Sequence, residues 1–258
     1  NKGFIGGLLT EDNKPLFTYA TGWSDLIGVG QAEYFDVYPA DADNAHYVPG
    51  TKYQLTMVYN GDGIVYYIDG VKQRTYDISL AEALEKLGSI QLGGSASEYS
   101  SYTGGLGSFR LYPCALSAED ASALAAGESI SAEPLIFCDA SSDPLETVSD
   151  GGSEPARETT TVMDQSGNGC HADADSSIAP APDKDGKAGK AIAFDGKSKL
   201  SLTGSAMNGL ASAIKEAGAA AISLWVQADE GNESFAFIAG LQNRSGDFAL
   251  TLDSSWGN

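Results

Sequence analysis

The chain has 258 residues, 42% of them hydrophobic and 19% charged, and its 35 Asp and Glu against 15 Lys and Arg leave a net charge of −20 at pH 7. That apolar content supports a folded core and excludes a wholly disordered chain. The charge repels phosphate backbones and anionic lipid, which excludes nucleic acid and a membrane surface as expected partners. No apolar run approaches the roughly 20 residues of a bilayer-spanning helix. The length fits two small domains or one large all-β domain of roughly 200–250 residues. Because the chain starts without Met and without a leader, it is read as a piece of a longer protein.

Thirty-one glycines, 12 Tyr, 9 Phe and short alternating runs between turn signals predict an all-β chain. In chain order, strands are expected at 4–9 and 16–19. The clearest pattern follows at residues 53–70: Tyr53, Leu55, Met57 and Tyr59 alternate with Gln54, Thr56 and Val58, which predicts a strand with one apolar face. Asn60-Gly61-Asp62-Gly63 supplies residues tolerant of positive φ, Ile64 to Ile68 returns as a second strand, and Asp69-Gly70 turns again. Further strands are expected at 89–92, 107–112, 135–137, 191–194, 200–202, 221–227, 235–239 and 248–252. Two helices stand out. Ser117-Ala-Glu-Asp120 resembles a capping box opening the run 121–126, with Gly127 suited to the left-handed C′ position. Residues 206–218 place Leu210, Ile214 and Ala217 at helical spacing, with Gly218 as the stop. The stretch 139–187 is the least regular, and its segment 141–160 has few core-forming residues and reads as a solvated loop or insertion.

Several motifs carry a family resemblance. Tyr67-Ile68-Asp69-Gly70, Leu92-Gly93 and Leu116-Ser117 follow in the order of a Tyr-x-Asp-Gly hairpin, a Leu-Gly strand and a Leu-Ser helix start. Asp164-Gln-Ser-Gly-Asn-Gly169, the run 187–196 ending in Phe194-Asp195-Gly196, and Ala221-Ile-Ser-Leu-Trp-Val226 form a second ordered set. These residues resemble the laminin-G-like, concanavalin A-like superfamily, bacterial type. The resemblance implies a jelly-roll β-sandwich of two antiparallel sheets with one or two short helices. Residues 1–128 are similar to its C-terminal half and 135–258 to its N-terminal half, joined through 129–134, so the order is inverted. Either the sandwich is circularly permuted or the piece is cut across tandem repeats. A half-sandwich would leave open edges and an uncovered apolar face, so the two parts are expected to close into one domain. Exchange of strands between two molecules is the other architecture considered.

Hydrolases of this fold commonly carry Glu-x-Asp-x-x-Glu on one strand, and this chain has no such run, nor a Gly-x-Ser-x-Gly elbow. A non-catalytic role is therefore expected. His46 is read in a loop, and His171 in a hydrogen-bonding structural role. Cys114, Cys138 and Cys170 include no CxxC pair and allow at most one disulfide; they read as small buried residues.

The resemblance also implies a structural Ca2+, for which oxygen-rich loops are needed. The candidate ligands are Asp164, Asn168 and Asp195, with Asp139 nearby. Asp41/Asp43 and Asp173/Asp175 are alternatives, and Asx turns or solvated carboxylates are the competing reading throughout.

Sugar binding needs aromatic faces beside polar side chains. Trp23, Asp25, Tyr34, Tyr38 and Trp256 are the candidate ligand residues, in blocks read as loops, whereas Trp225 is read as core. The function expected from the resemblance is an extracellular binding module of a large bacterial surface or secreted protein. It would recognise a glycan or a cell-surface protein, as a monomeric domain of a longer chain. A ligand-free stalk repeat of an adhesin and an accessory domain of a glycoside hydrolase are the alternatives.

Overall fold

In a computed structural model the backbone is described for residues 6–9, 15–20, 26–29, 33–36, 50–77, 89–92, 103–139, 146–149, 158–174, 178–183, 185–195, 200–202, 205–228, 236–242 and 248–254. The strands are, in order, β1 (Gly6–Leu9), β2 (Pro15–Ala20), β3 (Leu26–Val29), β4 (Glu33–Asp36), β5 (Lys52–Tyr59), β6 (Ile64–Ile68), β7 (Val71–Tyr76), β8 (Ser89–Leu92) and β9 (Thr103–Tyr112). After helix α1 (Ala118–Ala126) come β10 (Ile136–Cys138), β11 (Glu146–Ser149), β12 (Glu158–Val162), β13 (Ala172–Ala174), β14 (Ala179–Ala181), β15 (Ala191–Asp195) and β16 (Leu200–Leu202). Helix α2 (Ser205–Ala217) precedes β17 (Ala220–Ala228), β18 (Ala236–Gln242) and β19 (Phe248–Ser254).

These strands form the two sheets of a β-sandwich. The first sheet runs β11-β12-β13-β16-β8-β18-β19-β2-β3-β4, with β1 on β2; the second runs β14-β15-β9-β17-β5-β6-β7, with β10 on β9. Pairing is antiparallel throughout except between β19 and β2. In the second sheet β17 lies between β9 and β5, with Leu224 opposite both Leu55 and Phe109. Its inward face carries Leu55, Met57, Ile64, Tyr66, Phe109, Leu111, Ile192, Phe194, Ile222 and Leu224, all buried. Burying each aliphatic side chain there contributes roughly 1.5–3 kcal/mol, and this row is the main core.

The hairpins form for local reasons. Between β5 and β6, the Asn60 side chain accepts from the backbone N–H groups of Asp62 and Gly63, while Gly61 takes φ 94°. Between β6 and β7, Asp69 and Gly70 both have positive φ, 49° and 75°, as a two-residue type I′ turn requires. The α1 capping box is formed: the Asp120 N–H donates to Ser117 Oγ at 3.0 Å, and the Ser117 N–H to Asp120 Oδ2 at 2.9 Å. Gly127 closes the helix in the left-handed conformation. Gly218 ends α2 at φ 61°, its N–H bonded to the Ile214 carbonyl.

Two expectations need correction. Residues 141–160 were expected to be a solvated loop, yet Glu146–Ser149 and Glu158–Val162 pair as an antiparallel ladder, a β-rich Thr-Thr-Thr-Val run outweighing the polar composition. The aromatic block around Tyr34 was also expected in a loop. Instead Tyr34 and Phe35 lie on β4, the last strand of the first sheet, paired with Gly28 and Ile27. On β5, from Gln54 to Tyr59, both faces are buried. Gln54 and Thr56 are buried, with Gln54 Nε2 donating to Thr56 Oγ1 at 2.6 Å and to Ser223 Oγ at 2.8 Å. Central position buries both faces of a strand; the Gln54 amide nitrogen links β5 to β17 through Ser223, while its Oε1 is buried without a hydrogen-bond partner.

Candidate functional site

The outward face of the second sheet follows from the same register. Where Leu224 and Ile222 point inward, Ser223, Trp225 and Gln227 point out; Gln54 and Thr56 on β5 and Arg110 on β9 share that face. Trp225, expected in the core, is therefore half-exposed on the outer side. The apolar neighbours Ile222, Leu224 and Val226 masked a period of two that places Trp225 with Ser223 and Gln227. The β9–β17 ladder is irregular here, with Gly107 and Ser108 together opposite Trp225 between the pairs Phe109–Leu224 and Leu106–Val226. Such a bulge re-aims the residue it faces. A Cβ on Gly107 would lie 3.0 Å from the Trp225 Cβ, so glycine is what lets the indole sit against the sheet.

One end of this face is closed. Val58, Tyr67, Tyr112 and Ala221 of the sheet pack with Leu116, Ala121 and Leu124 of the α1 region into a second cluster, joined by Cys114, Ile130 and Ala132. Beside this cluster the face is open. A groove of about 180 Å³ is lined by Gly107, Ser108, Arg110, Leu124, Gly127, Asp139, Asp183, Lys190 and Trp225. A neighbouring hollow adds Lys52, Gly105, Pro182 and Gln227 beside the same indole.

The polar walls are held in place. The Asp183 carboxylate accepts from the N–H groups of Asp185 and Lys187 at 2.9 and 2.8 Å, which fixes its loop. The Asp183 carbonyl accepts from the Lys52 ammonium, tying that loop to β5. Gln227 donates to the Gly50 carbonyl at 2.7 Å. The Arg110 guanidinium lies 4.3 Å over the Phe137 ring, a cation–π contact that keeps it along the groove floor. Burial pushes the Tyr112 hydroxyl's pKa up, and Arg110 beside it acts in the opposite direction. An indole flanked by glycines, with cations, a carboxylate and amides around it, can stack on an apolar ring face and hydrogen-bond the ring's substituents.

Of the sequence-derived ligand residues the structure describes one. Tyr34 is on β4 of the other sheet, and Trp23, Asp25, Tyr38 and Trp256 lie outside the described residues.

The calcium candidates separate. Asp164 is buried and accepts four hydrogen bonds: Oδ1 from the N–H groups of Phe137 (2.9 Å) and Ser166 (3.0 Å), Oδ2 from the Ser166 hydroxyl (2.8 Å) and the Cys170 N–H (3.0 Å). Burial pushes its pKa up, but the bonds donated by Phe137, Cys170 and Ser166 outweigh this and hold it below the ordinary carboxylate value. His171 Nδ1 accepts the Asp164 N–H at 3.0 Å, the hydrogen-bonding role expected of it. Asn168 shares the turn and donates its amide to the Leu135 carbonyl at 3.0 Å. Asp195 does not join them. It pairs with Thr103 at one end of β9, whereas Cys138, bridged to Asp164, pairs with Phe109, six residues farther along that strand. At about 3.3 Å per residue this is ~20 Å, too far for ligands of one cation. Asp164, Asn168 and Asp195 thus do not fit a shared calcium ion, and Asp164 organises the turn through N–H and O–H donors. Among the described residues no group of three or more His, Cys, Asp and Glu could hold a metal. Asp41, Asp43 and Asp175 lie outside those residues, and Asp173 accepts from the Thr161 hydroxyl at 3.0 Å.

Comparison with known families adds one finding. Residues 12–122 match a laminin G family model described as the concanavalin A-like lectin/glucanases superfamily. Among curated proteins, none matches the chain.

Proposed function

With residues 12–122 a segment of the concanavalin A-like lectin/glucanases superfamily, we propose that the chain is a non-catalytic binding module that recognises a glycan at the outward groove of the second sheet. The observation that carries this reading is Trp225, half-exposed on the sheet, seated against Gly107 and surrounded by Arg110, Lys190 and Asp183. Pyranose rings present apolar C–H patches that stack on such a ring, and their hydroxyls pair with charged and amide side chains at the rim. The absence of a Glu-x-Asp-x-x-Glu run or a nucleophile elbow from the sequence supports binding without hydrolysis. The proposed setting is a bacterial cell surface or secreted protein, with the module as one part of a longer chain, and the proposed architecture is a permuted sandwich in which 1–128 and 135–258 complete each other.

A glycan array with the wild-type chain and Trp225→Ala tests the site. Binding by the wild type that the variant loses supports it. Binding that survives Trp225→Ala but is lost in Trp23→Ala or Tyr38→Ala moves the ligand to the other aromatic block. Absence of binding to any glycan favours a ligand-free stalk repeat.

A further inference from the structure

We propose that Cys138 and Cys170 form a disulfide when the chain folds in an oxidising compartment, and that Cys114 stays a free thiol. Two short contacts converge on Asp164. Cys138 is bridged to Asp164 in an antiparallel pair whose flanking bond runs from the Gln165 N–H to the Phe137 carbonyl at 2.8 Å. That makes Cys138 and Asp164 the closely spaced, non-hydrogen-bonded kind of pair, with side chains on the same side and nearest each other. The Asp164 carboxylate in turn holds the Cys170 N–H at 3.0 Å. Both thiols are buried, at 1% and 4% exposure, so neither faces solvent. Cys114 lies elsewhere, half-buried against the α1 cluster.

The electrostatics agree with this placement. Burial pushes the Cys138 thiol far up, and Asp164 and then Cys170 push it further; burial and Asp164 likewise raise Cys170. Thiolate, the nucleophile in exchange, is therefore scarce once the core has closed. The bond must form while the turn 164–170 docks on β10, before both sulfurs are sealed in. The step balances with a glutathione disulfide as oxidant. One cysteine thiolate attacks it, giving a mixed disulfide and one glutathione thiolate; the second cysteine thiolate then attacks the mixed disulfide, closing the Sγ–Sγ bond and releasing the second. Two thiol protons pass to solvent or to the departing thiolates. The cross-link would join β10, just after the 129–134 junction, to the Asp164 turn.

The test is refolding of the full chain from denaturant in a glutathione redox buffer, then alkylation in denaturant and peptide mass mapping without reductant. The expected result is one alkylated thiol, at Cys114, and a Cys138–Cys170 linked peptide. Cys114→Ser should still form the link and Cys170→Ala should not. The oxidised chain should melt about 5–10 °C above the reduced one, because the bridge closes a loop of about 30 residues. Three alkylated thiols after refolding, or a link that includes Cys114, overturns the proposal. Cys114→Ser keeps the test decisive even where Cys170→Ala fails to fold.

Discussion

Replacing Asp164 by Ala tests whether that carboxylate organises a turn or serves a metal. In the structure it accepts the N–H groups of Phe137, Ser166 and Cys170 and the Ser166 hydroxyl. The Cys170 contact is buried, and the Phe137 and Ser166 contacts are partly so. A buried donor left without its acceptor costs about 1–3 kcal/mol, so stranding Cys170 and Phe137 costs about 2–6 kcal/mol. Ser166, more open, can turn to water. For a chain of this size that is a fall in Tm of about 5–15 °C. The pH dependence has a definite sign. The folded carboxyl has a pKa below its unfolded value of about 3.9. Its stabilisation is therefore complete above the unfolded value and is lost as the pH falls below it through the folded pKa. The gap between wild type and Asp164→Ala should be full at pH 7 and shrink below about pH 4. Urea unfolding followed by tryptophan fluorescence, with calcium and with EDTA, reads both. A loss under about 1 kcal/mol in EDTA that grows when calcium is added would refute the turn argument and make Asp164 a metal ligand.

Three further outcomes follow from local geometry. Gly70→Ala should be worse than Gly61→Ala: both need positive φ, but a Cβ at Gly70 would lie 2.8 Å from the Ser122 Cα of α1, while at Gly61 the nearest atom is 3.5 Å away. Strain of about 1–2 kcal/mol is common to both, and overpacking adds about 1–3 kcal/mol at Gly70 alone, which paired urea titrations would show. Ser117→Ala removes the acceptor of the Asp120 N–H and should cost about 1 kcal/mol by the same assay. Gly107→Ala pushes on the Trp225 Cβ, so the tryptophan emission should shift and glycan binding, where present, should weaken with little change in Tm.

Legibility divided along physical lines. Elements whose signal is local were readable: the Ser117–Asp120 box, the Gly127 and Gly218 stops, and the Asp69-Gly70 turn each depend on residues a few positions apart. The alternation in residues 53–59 gave the strand, but not that Gln54 and Thr56 are buried, because their partner Ser223 is 169 residues away from Gln54. The same gap explains Trp225. Its alternation with Ser223 and Gln227 is on its own strand, but Ile222, Leu224 and Val226 around it hide that period of two, and the bulge at Gly107-Ser108 opposite it is in a different segment. Glu146–Ser149 and Glu158–Val162 were hidden because each is short and polar, and their stabilisation comes from pairing with each other and with β13. Asp164 stood out in the sequence as a candidate cation ligand, but acidity alone cannot distinguish a cation ligand from an acceptor of backbone N–H groups. Register along β9 makes that distinction by separating it from Asp195.

The proposed permuted sandwich has its own decisive perturbation, cutting the 129–134 connection. Strand β17 is paired along β5, from Gln227 opposite Lys52 to Ala220 opposite Tyr59, and along β9 on its other side. Residues 1–128 expressed alone would leave β5 and β9 with facing open edges and a slot where Ile222, Leu224 and Val226 are now buried. Those three side chains alone are worth about 5–9 kcal/mol at roughly 1.5–3 kcal/mol each, against a total of about 5–15 kcal/mol for a whole domain. Residues 135–258 would likewise lose the strand that lies between β15 and β17, which is β9. Neither piece should therefore unfold cooperatively by itself, while an equimolar mixture should regain the circular dichroism and melting transition of the intact chain and sediment as a one-to-one complex. A sharp, independent transition in either isolated piece would mean that its core closes without the other, and the permuted sandwich would have to give way to a boundary between tandem repeats.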